Sequence, residues 1–466
     1  MEVRSLKFVI TACAGELVNG SGNTPVRRVS TDSRQTQAGD LFVALRGERF
    51  DGHRFLDEAI ARGAGAVLIE QQQVPARLPN AAVVSVPDTR RALGRIAAAY
   101  RKDFSPPMVV VGGSNGKTTT KELIASVLRQ KLTTLHSQAS FNNDIGVPLT
   151  LLRLDQTHQV AVMEAGTNHP GELAPLIQMI QPRYGVITNI GREHLEFFGD
   201  LAGVAEEEGA LAEGLPPDGT LFLAGDSEWT GRMARRTRAR QVRVGFGRAN
   251  DWRLGDVAFD KRGTCFRVNA PQNDCCGAYR INLWGRHQAA NALFAIALGA
   301  EFGLSPAEIR RGLETCEAPS MRLQLWEQNG VHVLDDAYNA NADSVVAALQ
   351  TLQDLPCKGR RIAVLGDMAE LGAQREAAHA EVGRRAVELG VGQLFAVGQM
   401  AAVTGRAARE AGLNRVFEFA DVETAAAAVK NFVKAGDLLL LKASRVARLE
   451  RIADLLRSGN GGRKTG

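Results

Sequence analysis

Residues 108–121 have the sequence MVVVGGSNGKTTTK, and this stretch decides the architecture around it. Its β-branched residues 109–111 predict a short buried strand, and the following KELIASVLRQ predicts a helix. A glycine-rich loop that ends in Gly116, Lys117 and Thr118 connects the two. In such a loop, backbone N–H groups turn toward phosphate oxygens, the lysine reaches the outer phosphates and the hydroxyl ligates Mg²⁺. The stretch therefore predicts a strand–loop–helix unit that binds a nucleoside triphosphate.

One position departs from the strict G-x-x-x-x-G-K-[ST] pattern, because Val111 stands where the first glycine is expected. A glycine-rich turn that binds nothing is the alternative, but the flanking strand and helix favour phosphate binding. The residues predicted to contact the nucleotide through this loop are Gly112, Gly113, Ser114, Asn115, Gly116, Lys117, Thr118 and Thr119.

Length and composition indicate a multidomain globular protein. The 466 residues suggest about three domains of roughly 150 residues each. A hydrophobic fraction of 45% and a charged fraction of 23% are typical of such proteins. The net charge of +5 is small for this length, and no basic block with interleaved aromatic residues is present. We therefore expect no nucleic-acid partner.

The N-terminus and the cysteines bear on location. Residues 8–10 are the apolar run ahead of Cys13, and they are far fewer than a secretory signal needs. No stretch approaches the ~18 apolar residues of a membrane span. The six cysteines show no CxxC pair and no Cys/His metal spacing, which favours reduced thiols. We expect a cytoplasmic protein without stable membrane association, and a monomer.

Strand-like and helix-like runs alternate through most of the chain, which predicts α/β architecture with mostly parallel sheets. We place domain limits at 1–86, 87–317 and 318–466. A helix follows the first limit, with Asp88 or Thr89 as its N-cap. Residues 241–282 predict a small β-rich insertion in the middle segment, and the last segment has four strand-like runs, each followed by a helix.

Two polar residues follow buried strands of the middle segment. Glu164 ends the run VAVM, and His194 lies just beyond the next strand-like run. Because ligands of open α/β sheets sit at the carboxyl edge, both residues are candidates for holding Mg²⁺ beside the phosphate loop. The alternatives are a rim charge for Glu164 and a hydrogen-bonded loop residue for His194.

Further polar groups predict a ligand loop in the last segment. Residues 335–341 (DDAYNAN) follow a strand-like run, and an Asx-rich turn that caps the next helix is the alternative for some of them. Arg322 and residues 442–445 add cations that can meet phosphate or carboxylate, or can be solvated surface charges. Asn291 lies on a helix that follows the string GRHQ.

Several strings together resemble the Mur ligases, and within them the members that add D-alanyl-D-alanine to a UDP-N-acetylmuramoyl tripeptide. These strings are TDSRQTQAGDLFVALRGERFDGHRF (31–55), GGSNGKTTTKE (112–122), FNNDIGVPLTLL (141–152), TNIGREHLEFFG (188–199), LDDAYNANADSV (334–345) and VLGDMAELG (364–372). The string GKTTT fits any Mur ligase or a folylpolyglutamate synthase, whereas FNNDIGVPLTLL, DDAYNAN and GDMAELG are more particular. The resemblance spans about residues 29–450.

The resemblance implies three domains: an N-terminal domain that binds UDP, a central ATPase, and a C-terminal Rossmann-like domain that closes over ATP and binds the incoming dipeptide. It implies ATP and Mg²⁺, in two ions, as cofactors, and an acyl-phosphate mechanism. UDP-sugar contacts are implied for Thr31, Asp32, Ser33, Arg34, Gly52 and His53. Other substrate contacts are implied for Asn142, Asn143, Thr188, Tyr338, Asn339, Ser444 and Arg445.

The resemblance also assigns roles around the nucleotide. Asn291 would face the adenine, and Arg322 and Asp336 would complete the site from the closing domain. Metal ligands are implied at Thr118, Glu164 and His194. The residues expected to act in catalysis are Lys117, Glu164, His194, Glu208 and Arg322.

Glu208 marks a departure from the family. Members usually carry at this position a lysine that is N-carbamylated and thereby acts as a long carboxylate. A glutamate keeps the charge and loses reach, so we hypothesise that Glu208 holds the second Mg²⁺ directly or through water. The alternative is that residues 206–208 are the solvated start of a helix, where the helix dipole favours acids.

Three other functions remain open from the sequence. The first is another Mur-type ligase or a folylpolyglutamate synthase-like ligase. The second is a non-catalytic protein that binds UDP-sugars or nucleotides, which Glu208 favours and the intact Lys117, Glu164 and His194 oppose. The third is a P-loop kinase, which would make a stable phosphorylated product and no amide.

Overall fold

The structure is a computed structural model, and it describes residues 1–47, 50–75 and 80–458. In these ranges the strands form three large sheets, one after another along the sequence, and one two-stranded ribbon. Helices connect most of the strands. The expected α/β class with mostly parallel sheets is therefore confirmed.

The N-terminal sheet consists of short strands. Its strands and those of the ribbon are β1 (Arg4–Ser5), β2 (Glu16–Asn19), β3 (Pro25–Val26), β4 (Arg28–Ser30), β5 (Asp40–Val43), β6 (Ala66–Glu70) and β7 (Ala82–Val86). The helices of this part are α1 (Leu6–Cys13), α2 (Leu56–Ala61) and α3 (Thr89–Arg101). The sheet has the order β2-β7-β6-β5-β4, in which β4 to β7 are parallel and β2 is antiparallel to β7.

Helix α3 joins the N-terminal and central parts. It begins as predicted, because the Asp88 carboxylate accepts hydrogen bonds from two N–H groups of the first helical turn. Its buried face belongs to an apolar cluster that contains residues of both parts. The Tyr100 hydroxyl donates to the carbonyl of Leu154 at 2.7 Å and accepts from the N–H of Glu2 at 2.7 Å. The two parts thus share a core, and the limit placed at residue 87 stays a prediction.

The central sheet is the largest. Its strands are β8 (Met108–Gly112), β9 (Thr134–His136), β10 (Val160–Glu164), β11 (Tyr184–Ile187), β12 (Thr220–Ala224), β13 (Arg240–Gly245), β14 (Trp252–Asp260), β15 (Gly263–Asn269) and β16 (Gly277–Ile281). The central helices are α4 (Lys117–Leu128), α5 (Gly146–Leu151), α6 (Leu173–Ile180), α7 (Leu195–Phe198), α8 (Leu201–Glu213), α9 (Thr230–Ala234), α10 (Arg286–Glu301) and α11 (Pro306–Glu314). The strand order is β16-β15-β14-β13-β12-β11-β8-β10-β9.

Strand β8 has a core on each of its faces. Val109 and Val111 pack in a cluster with α4 and α10, whereas Met108 and Val110 face the cluster that contains α3, α5, α6 and α8. This alternation follows from the period of two along a strand. Because both faces are covered, the predicted run of consecutive apolar residues is what a central parallel strand requires.

The β-rich segment 241–282 continues the central sheet. Strand β13 is parallel to β12, β14 is parallel to β13, and β15 and β16 follow as an antiparallel edge. The predicted strands are therefore present, but they extend the sheet instead of forming a unit beside it. The sequence did not predict strand β14. Every second residue from Gly255 onward is exposed, so this strand has no continuous apolar run of the kind on which the other strands were predicted.

The C-terminal sheet has helices on both faces. Its strands are β17 (Gln324–Gln328), β18 (Val331–Asp336), β19 (Arg361–Gly366), β20 (Gln393–Val397), β21 (Val416–Phe419) and β22 (Leu438–Lys442). Its helices are α12 (Ala342–Asp354), α13 (Arg375–Glu388), α14 (Ala401–Glu410), α15 (Val422–Phe432) and α16 (Glu450–Arg457). The order is β17-β18-β22-β19-β20-β21, with only β17 antiparallel among these strands.

The four predicted strand–helix pairs of this part are confirmed, and the edge strands β17 and β21 are additional. Helices α12 and α13 cover one face, and α15 and α16 cover the other. The limit at residue 318 stays a prediction. None of the helices in the described ranges combines the length and apolarity that a bilayer crossing requires. The six cysteines, all within those ranges, are unpaired.

Candidate active site

Strand β8 lies between β10 and β11, and the three strands are parallel. Their carboxyl ends therefore meet at one edge of the central sheet, where Gly112, Glu164 and the segment after Ile187 lie together. The C-terminal sheet faces this edge. A cleft of about 600 Å³ separates the two and is lined by residues of both, and we call it the interdomain cleft.

The phosphate loop forms the central-domain side of the interdomain cleft. Helix α4 begins at Lys117, directly after Gly116, and its first turn leaves N–H groups without partners inside the helix. Gly116 has φ of 84°, and a Cβ there would lie 2.7 Å from the side-chain oxygen of Asn291. Gly113 has φ of 103°, and a Cβ there would collide with Thr188. Glycine is required at both positions, so the loop keeps the close backbone approach that an anion needs.

Lys117 is held against its own loop. Its Nζ donates to the carbonyl of Gly113 at 2.6 Å and lies 3.2 Å from a carboxylate oxygen of Glu193. Burial opposes the charged form of this lysine. Attraction to Glu193, and then to Glu208 and Glu164, outweighs the burial and raises the pKa of Lys117. The ammonium therefore stays charged at the mouth of the loop.

Glu164 ends strand β10 and is almost fully buried, with 1% of its surface exposed. Its Oε1 accepts a hydrogen bond from Asn142 at 2.8 Å. Its Oε2 is one of the buried side-chain atoms of the described chain without a hydrogen-bond partner. Across the loop, the Thr118 hydroxyl lies 3.5 Å from that of Ser140. The predicted metal ligands Thr118 and Glu164 thus both line the interdomain cleft.

His194 lies at the point where the two domains touch. It adopts a left-handed backbone conformation with φ of 47° and caps the start of α7. Its Nδ1 pairs with the carboxylate of Glu370, which belongs to the C-terminal domain, and this contact holds the pKa of Glu370 below its usual range. The N–H of Glu196 also donates to the carbonyl of Glu370 at 3.0 Å. His194 and Glu370 therefore both line the interdomain cleft, and the sequence did not predict Glu370.

Glu208 lies behind the phosphate loop. It is fully buried, and its Oε2 accepts a hydrogen bond from the N–H of Gly113 at 2.7 Å. Burial raises the pKa of Glu208 to about 8, against the attraction of Lys117. The alternative of a solvated helix start is therefore wrong, because residues 206–208 lie inside α8, which begins at Leu201, and only Glu206 of the three is exposed. Glu208 is not among the described residues that line the interdomain cleft.

The C-terminal domain contributes cations and carboxylates. The Arg322 guanidinium lies 4.2 Å over the ring of Tyr338, and it reaches the Ser140 hydroxyl at 3.4 Å. Asp336 pairs with Lys442 at 2.6 Å. Burial raises the pKa of Asp336, and the attraction of Lys442 opposes this rise. Arg322, Asp336 and Lys442 all line the interdomain cleft, so both domains surround one polar volume.

The structure brings most of the predicted nucleotide and metal residues, and some of the predicted substrate residues, to the interdomain cleft. Those that line it are Ser114, Asn115, Gly116, Lys117, Thr118, Thr119, Asn142, Asn143, Glu164, His194, Asn291, Arg322, Asp336, Tyr338 and Asn339. Thr188 lies under the phosphate loop instead, where its hydroxyl donates to the carbonyl of Asn115 at 2.7 Å and its N–H donates to the carbonyl of Gly112 at 3.1 Å. Ser444 donates to the carbonyl of Asp367, and Arg445 pairs with Glu450.

The predicted UDP-sugar residues lie in the N-terminal domain, away from the described lining of the interdomain cleft. Asp32 caps a short turn and pairs with Arg34 at 2.9 Å, which lowers the pKa of Asp32 to about 2. His53 pairs with Asp51 at 2.7 Å and accepts the N–H of Glu70 at 3.0 Å. A role of these residues in binding a UDP-sugar stays a prediction.

Sequence reasoning missed three charged residues of the site. Glu193 pairs with Lys117, Arg192 pairs with carboxylates of the C-terminal domain, and Glu370 pairs with His194. All three lie inside strings that carry the family resemblance, and two of them directly precede His194. The presence of charged side chains next to a predicted metal ligand was the available signal.

The residues present suit a magnesium ion that travels with a nucleotide. Among the described residues no group of three His, Cys, Asp or Glu side chains forms a preformed metal cage. Mg²⁺ usually keeps several waters and takes one or two carboxylates together with phosphate oxygens. The buried, partnerless Oε2 of Glu164 and the hydroxyl of Thr118, two oxygens of residues that line the interdomain cleft, match that preference.

The fold and the interdomain cleft define a P-loop nucleotide-binding protein whose site is completed by a second α/β domain. Family models match three successive parts of the chain: Mur ligase family, catalytic domain at residues 25–101; Mur ligase middle domain at 111–299; and Mur ligase, glutamate ligase domain at 321–445. The chain belongs to the Mur ligase family. The resemblance stated from the motifs and the three-domain architecture are thereby confirmed.

Individual relatives and solved structures show which members of the family this chain is similar to. A relative from Bacillus subtilis (strain 168), named UDP-N-acetylmuramoyl-tripeptide--D-alanyl-D-alanine ligase, is 36% identical over 460 residues, which cover 98% of this chain and 99% of that protein. A crystal structure of MurF from Acinetobacter baumannii has a TM-score of 0.88 at 30% identity, covering 98% of this chain and 99% of that one. MurF from Thermotoga maritima, solved with ADP, has a TM-score of 0.79 at 26% identity, covering 93% and 97%.

Proposed function

We propose that this chain is an ATP-dependent amide ligase of peptidoglycan precursor synthesis. It joins D-alanyl-D-alanine to a UDP-N-acetylmuramoyl tripeptide and releases ADP and phosphate. The observation that carries the proposal is the phosphate loop with Lys117 facing a cleft between two domains. This arrangement occurs in a chain that matches, over nearly its whole length, a relative named UDP-N-acetylmuramoyl-tripeptide--D-alanyl-D-alanine ligase.

The chemistry follows from the weakness of a carboxylate as an electrophile. Transfer of the γ-phosphoryl group of ATP to the carboxylate of the tripeptide breaks the β–γ phosphoanhydride bond and forms an acyl phosphate and ADP. The amine of D-alanyl-D-alanine then attacks the acyl carbon and loses its proton. The tetrahedral intermediate collapses to the amide as phosphate leaves.

The chain's own groups position the reactants and offset negative charge. The first-turn N–H groups of α4 and the Lys117 ammonium are proposed to bind the phosphates. Asn291 is proposed to face the adenine, with Arg322 and Asp336 approaching from the C-terminal domain. The shared lining of the interdomain cleft supports these roles. Closure of this domain would exclude water, which competes with the amine for the acyl phosphate.

Thr118, Glu164 and His194 are proposed to hold Mg²⁺, with a second ion near Glu208. The ions would offset charge on the transferring phosphoryl group. For Glu208, the support is its partnerless, buried Oε1, although the side chain is committed to the Gly113 N–H through its other oxygen. Glu208→Gln at saturating Mg²⁺ tests this role. Near-normal turnover would eliminate it.

The substrate contacts are proposed from the family positions. Thr31, Asp32, Ser33, Arg34, Gly52 and His53 would contact the UDP-sugar; Asn142, Asn143 and Thr188 would approach the peptide end; and Tyr338, Asn339, Ser444 and Arg445 would contact the incoming dipeptide region. Asn142, Asn143, Tyr338 and Asn339 have support from their place in the interdomain cleft. We also propose that the protein acts in the cytoplasm as a monomer.

Mass spectrometry of the reaction product tests the function. Purified protein receives ATP, Mg²⁺, D-alanyl-D-alanine and a UDP-N-acetylmuramoyl tripeptide that ends in either diaminopimelate or lysine. We expect a pentapeptide product from at least one tripeptide, together with phosphate release that requires all substrates. The matched control is Lys117→Met, which keeps most of the length of the side chain and removes its charge.

Three results would contradict the proposal and indicate the rivals. Amide formation with another amino acid, or with a folate, would indicate a different ligase of the family. A stable phosphorylated product without an amide would indicate a kinase. Nucleotide or UDP-sugar binding without phosphate release would indicate a binding protein.

A further inference from the structure

Three acidic side chains lie around the single positive charge of Lys117. Glu164, Glu193 and Glu208 are the three acids whose attraction acts on its ammonium. Each of them has one buried oxygen that finds no hydrogen-bond partner in the part of the chain that the structure describes. A buried carboxylate oxygen without a donor is unfavourable, so such oxygens indicate a missing positive or hydrogen-donating group.

Glu193 differs from Glu208 in where its side chain points. Glu208 lies behind the phosphate loop, and one of its oxygens is bound to the Gly113 N–H. Glu193 is only 6% exposed, yet it lines the interdomain cleft. Its Oε2 lies 3.2 Å from Lys117 Nζ and 4.0 Å from the Nε2 of His194, while its Oε1 is partnerless within the described residues. Glu193 therefore presents its carboxylate between the phosphate-binding lysine and a proposed metal ligand.

A nucleotide bound at the phosphate loop would compete with Glu193 for the ammonium of Lys117. Lys117 must turn from Glu193 toward the phosphates to neutralise them, since the ammonium now lies against the Gly113 carbonyl. The Glu193 carboxylate would then face phosphate oxygens of the same sign, and the two would repel each other. A divalent cation between them relieves the repulsion. Carboxylate oxygens are among the ligands that hard cations prefer.

We propose that Glu193 binds the divalent cation of the metal–nucleotide complex through its free oxygen, directly or through one water, beside Glu164 and His194. This inference rests on the proposed function, because it requires a nucleotide in the interdomain cleft. It adds to that function a residue that makes nucleotide binding depend on the metal.

Calorimetric titration with a non-hydrolysable ATP analogue tests the role without measuring turnover. The dissociation constant is determined with excess EDTA and with Mg²⁺, and the ratio of the two is the metal coupling factor. In Glu193→Gln we expect tighter metal-free binding than in wild type, because a negative charge has left the site. We expect the coupling factor to fall by at least about tenfold, since even groups that only orient metal ligands change affinity by roughly 10- to 100-fold.

Glu206→Gln is the matched control. It removes the same charge from the same domain, but its side chain is 64% exposed and pairs with Arg232 and Arg236 outside the interdomain cleft. Its coupling factor should equal that of wild type. Electron paramagnetic resonance of Mn²⁺ gives a second measurement, in which Glu193→Gln should bind Mn²⁺ more weakly than both other proteins in the presence of the analogue. Circular dichroism confirms that each variant is folded.

The possible failures are separable. If wild-type protein binds no ATP analogue with or without metal, the proposed function fails. If wild type binds and Glu193→Gln keeps its coupling factor, the function stands and the inference is wrong. If Glu193→Gln weakens binding equally with and without metal, Glu193 only positions Lys117, and the cation role is likewise overturned.

Discussion

Arg192 connects the central and C-terminal domains through two carboxylates. Its backbone N–H and its Nε each donate to Asp343 at 2.8 Å, in the first turn of α12. Its two terminal nitrogens form a bidentate pair with Glu381 of α13, at 2.6 and 3.0 Å. We predict that Arg192→Met shifts the nucleotide-free protein toward an arrangement in which the two domains are apart.

The size of the expected shift between closed and open molecules follows from the exposure of these charged groups. The side chains of Arg192, Asp343 and Glu381 are 28%, 36% and 33% exposed. Fully exposed ion pairs contribute roughly 0.2–1 kcal/mol, and hydrogen bonds to charged groups contribute roughly 1.5–3 kcal/mol. For this partly screened pair of contacts we take about 1 kcal/mol per carboxylate, or about 2 kcal/mol in total. At ~1.4 kcal/mol per factor of ten, the ratio of closed to open molecules changes roughly 30-fold.

Small-angle scattering and calorimetry measure this effect. Arg192→Met should increase the radius of gyration of the nucleotide-free protein. It should also raise the dissociation constant of ADP by up to roughly 30-fold, because both domains line the site. Glu381→Gln removes one of the two carboxylates and should raise the constant roughly fivefold, which is half the free energy.

Arg232→Met provides the control, because Arg232 pairs with Glu206 at 2.8 Å inside the central domain. This variant should scatter and bind ADP like wild type. If Arg192→Met also matches wild type in both measurements, the ion pairs do not hold the two domains together, and the reasoning from their geometry is refuted.

Three further predictions concern the phosphate loop. Lys117→Met should lower turnover at least ~100-fold, by analogy with the loss of a donor to an oxyanion, in a phosphate-release assay. Gly116→Ala should weaken ATP binding more than Gly171→Ala in calorimetry: both glycines have left-handed φ, of 84° and 86°, but only the Cβ at 116 meets Asn291. Burial raises the pKa of Glu208 to about 8 from 4.5, so its stabilising protonation is complete below pH 4.5 and is lost as pH rises through 8. Glutamine does not titrate, so Glu208→Gln keeps that stability at every pH. In differential scanning fluorimetry, the difference in melting temperature between Glu208→Gln and wild type should therefore shift in favour of the variant as the pH rises from about 5 to about 9. Equal pH profiles of the two proteins would contradict a buried, protonated carboxyl.

The elements that were predicted correctly carry their signal in neighbouring residues. Strand β8 is a run of apolar residues because both its faces are covered, and the cap at Asp88 bonds to N–H groups only two and three positions ahead. Strand β14, between β13 and β15, was missed because exposed residues interrupt its apolar pattern. Local chemistry thus specified the buried strands and the loop, and left the solvent-facing strands ambiguous.

The family motifs extended the prediction from elements to individual side chains. Ser114, Lys117, Thr118, Glu164 and His194 were all predicted for the nucleotide site, and all line the interdomain cleft. Glu208 shows the limit of this approach. Its alignment with a metal-binding position did not reveal that its carboxyl bonds to the back of the phosphate loop, and its metal role stays a prediction.

The sequence by itself determined the α/β class, the phosphate loop and the identity of most groups around it, because each depends on residue types at fixed short spacings. The tertiary structure alone decided the partners of the charged groups. Glu193 meets Lys117 across 76 positions of chain, and Arg192 meets Glu381 across 189. Coulomb attraction depends on distance through space, and only the packing of one sheet against another brings such distant charges within contact.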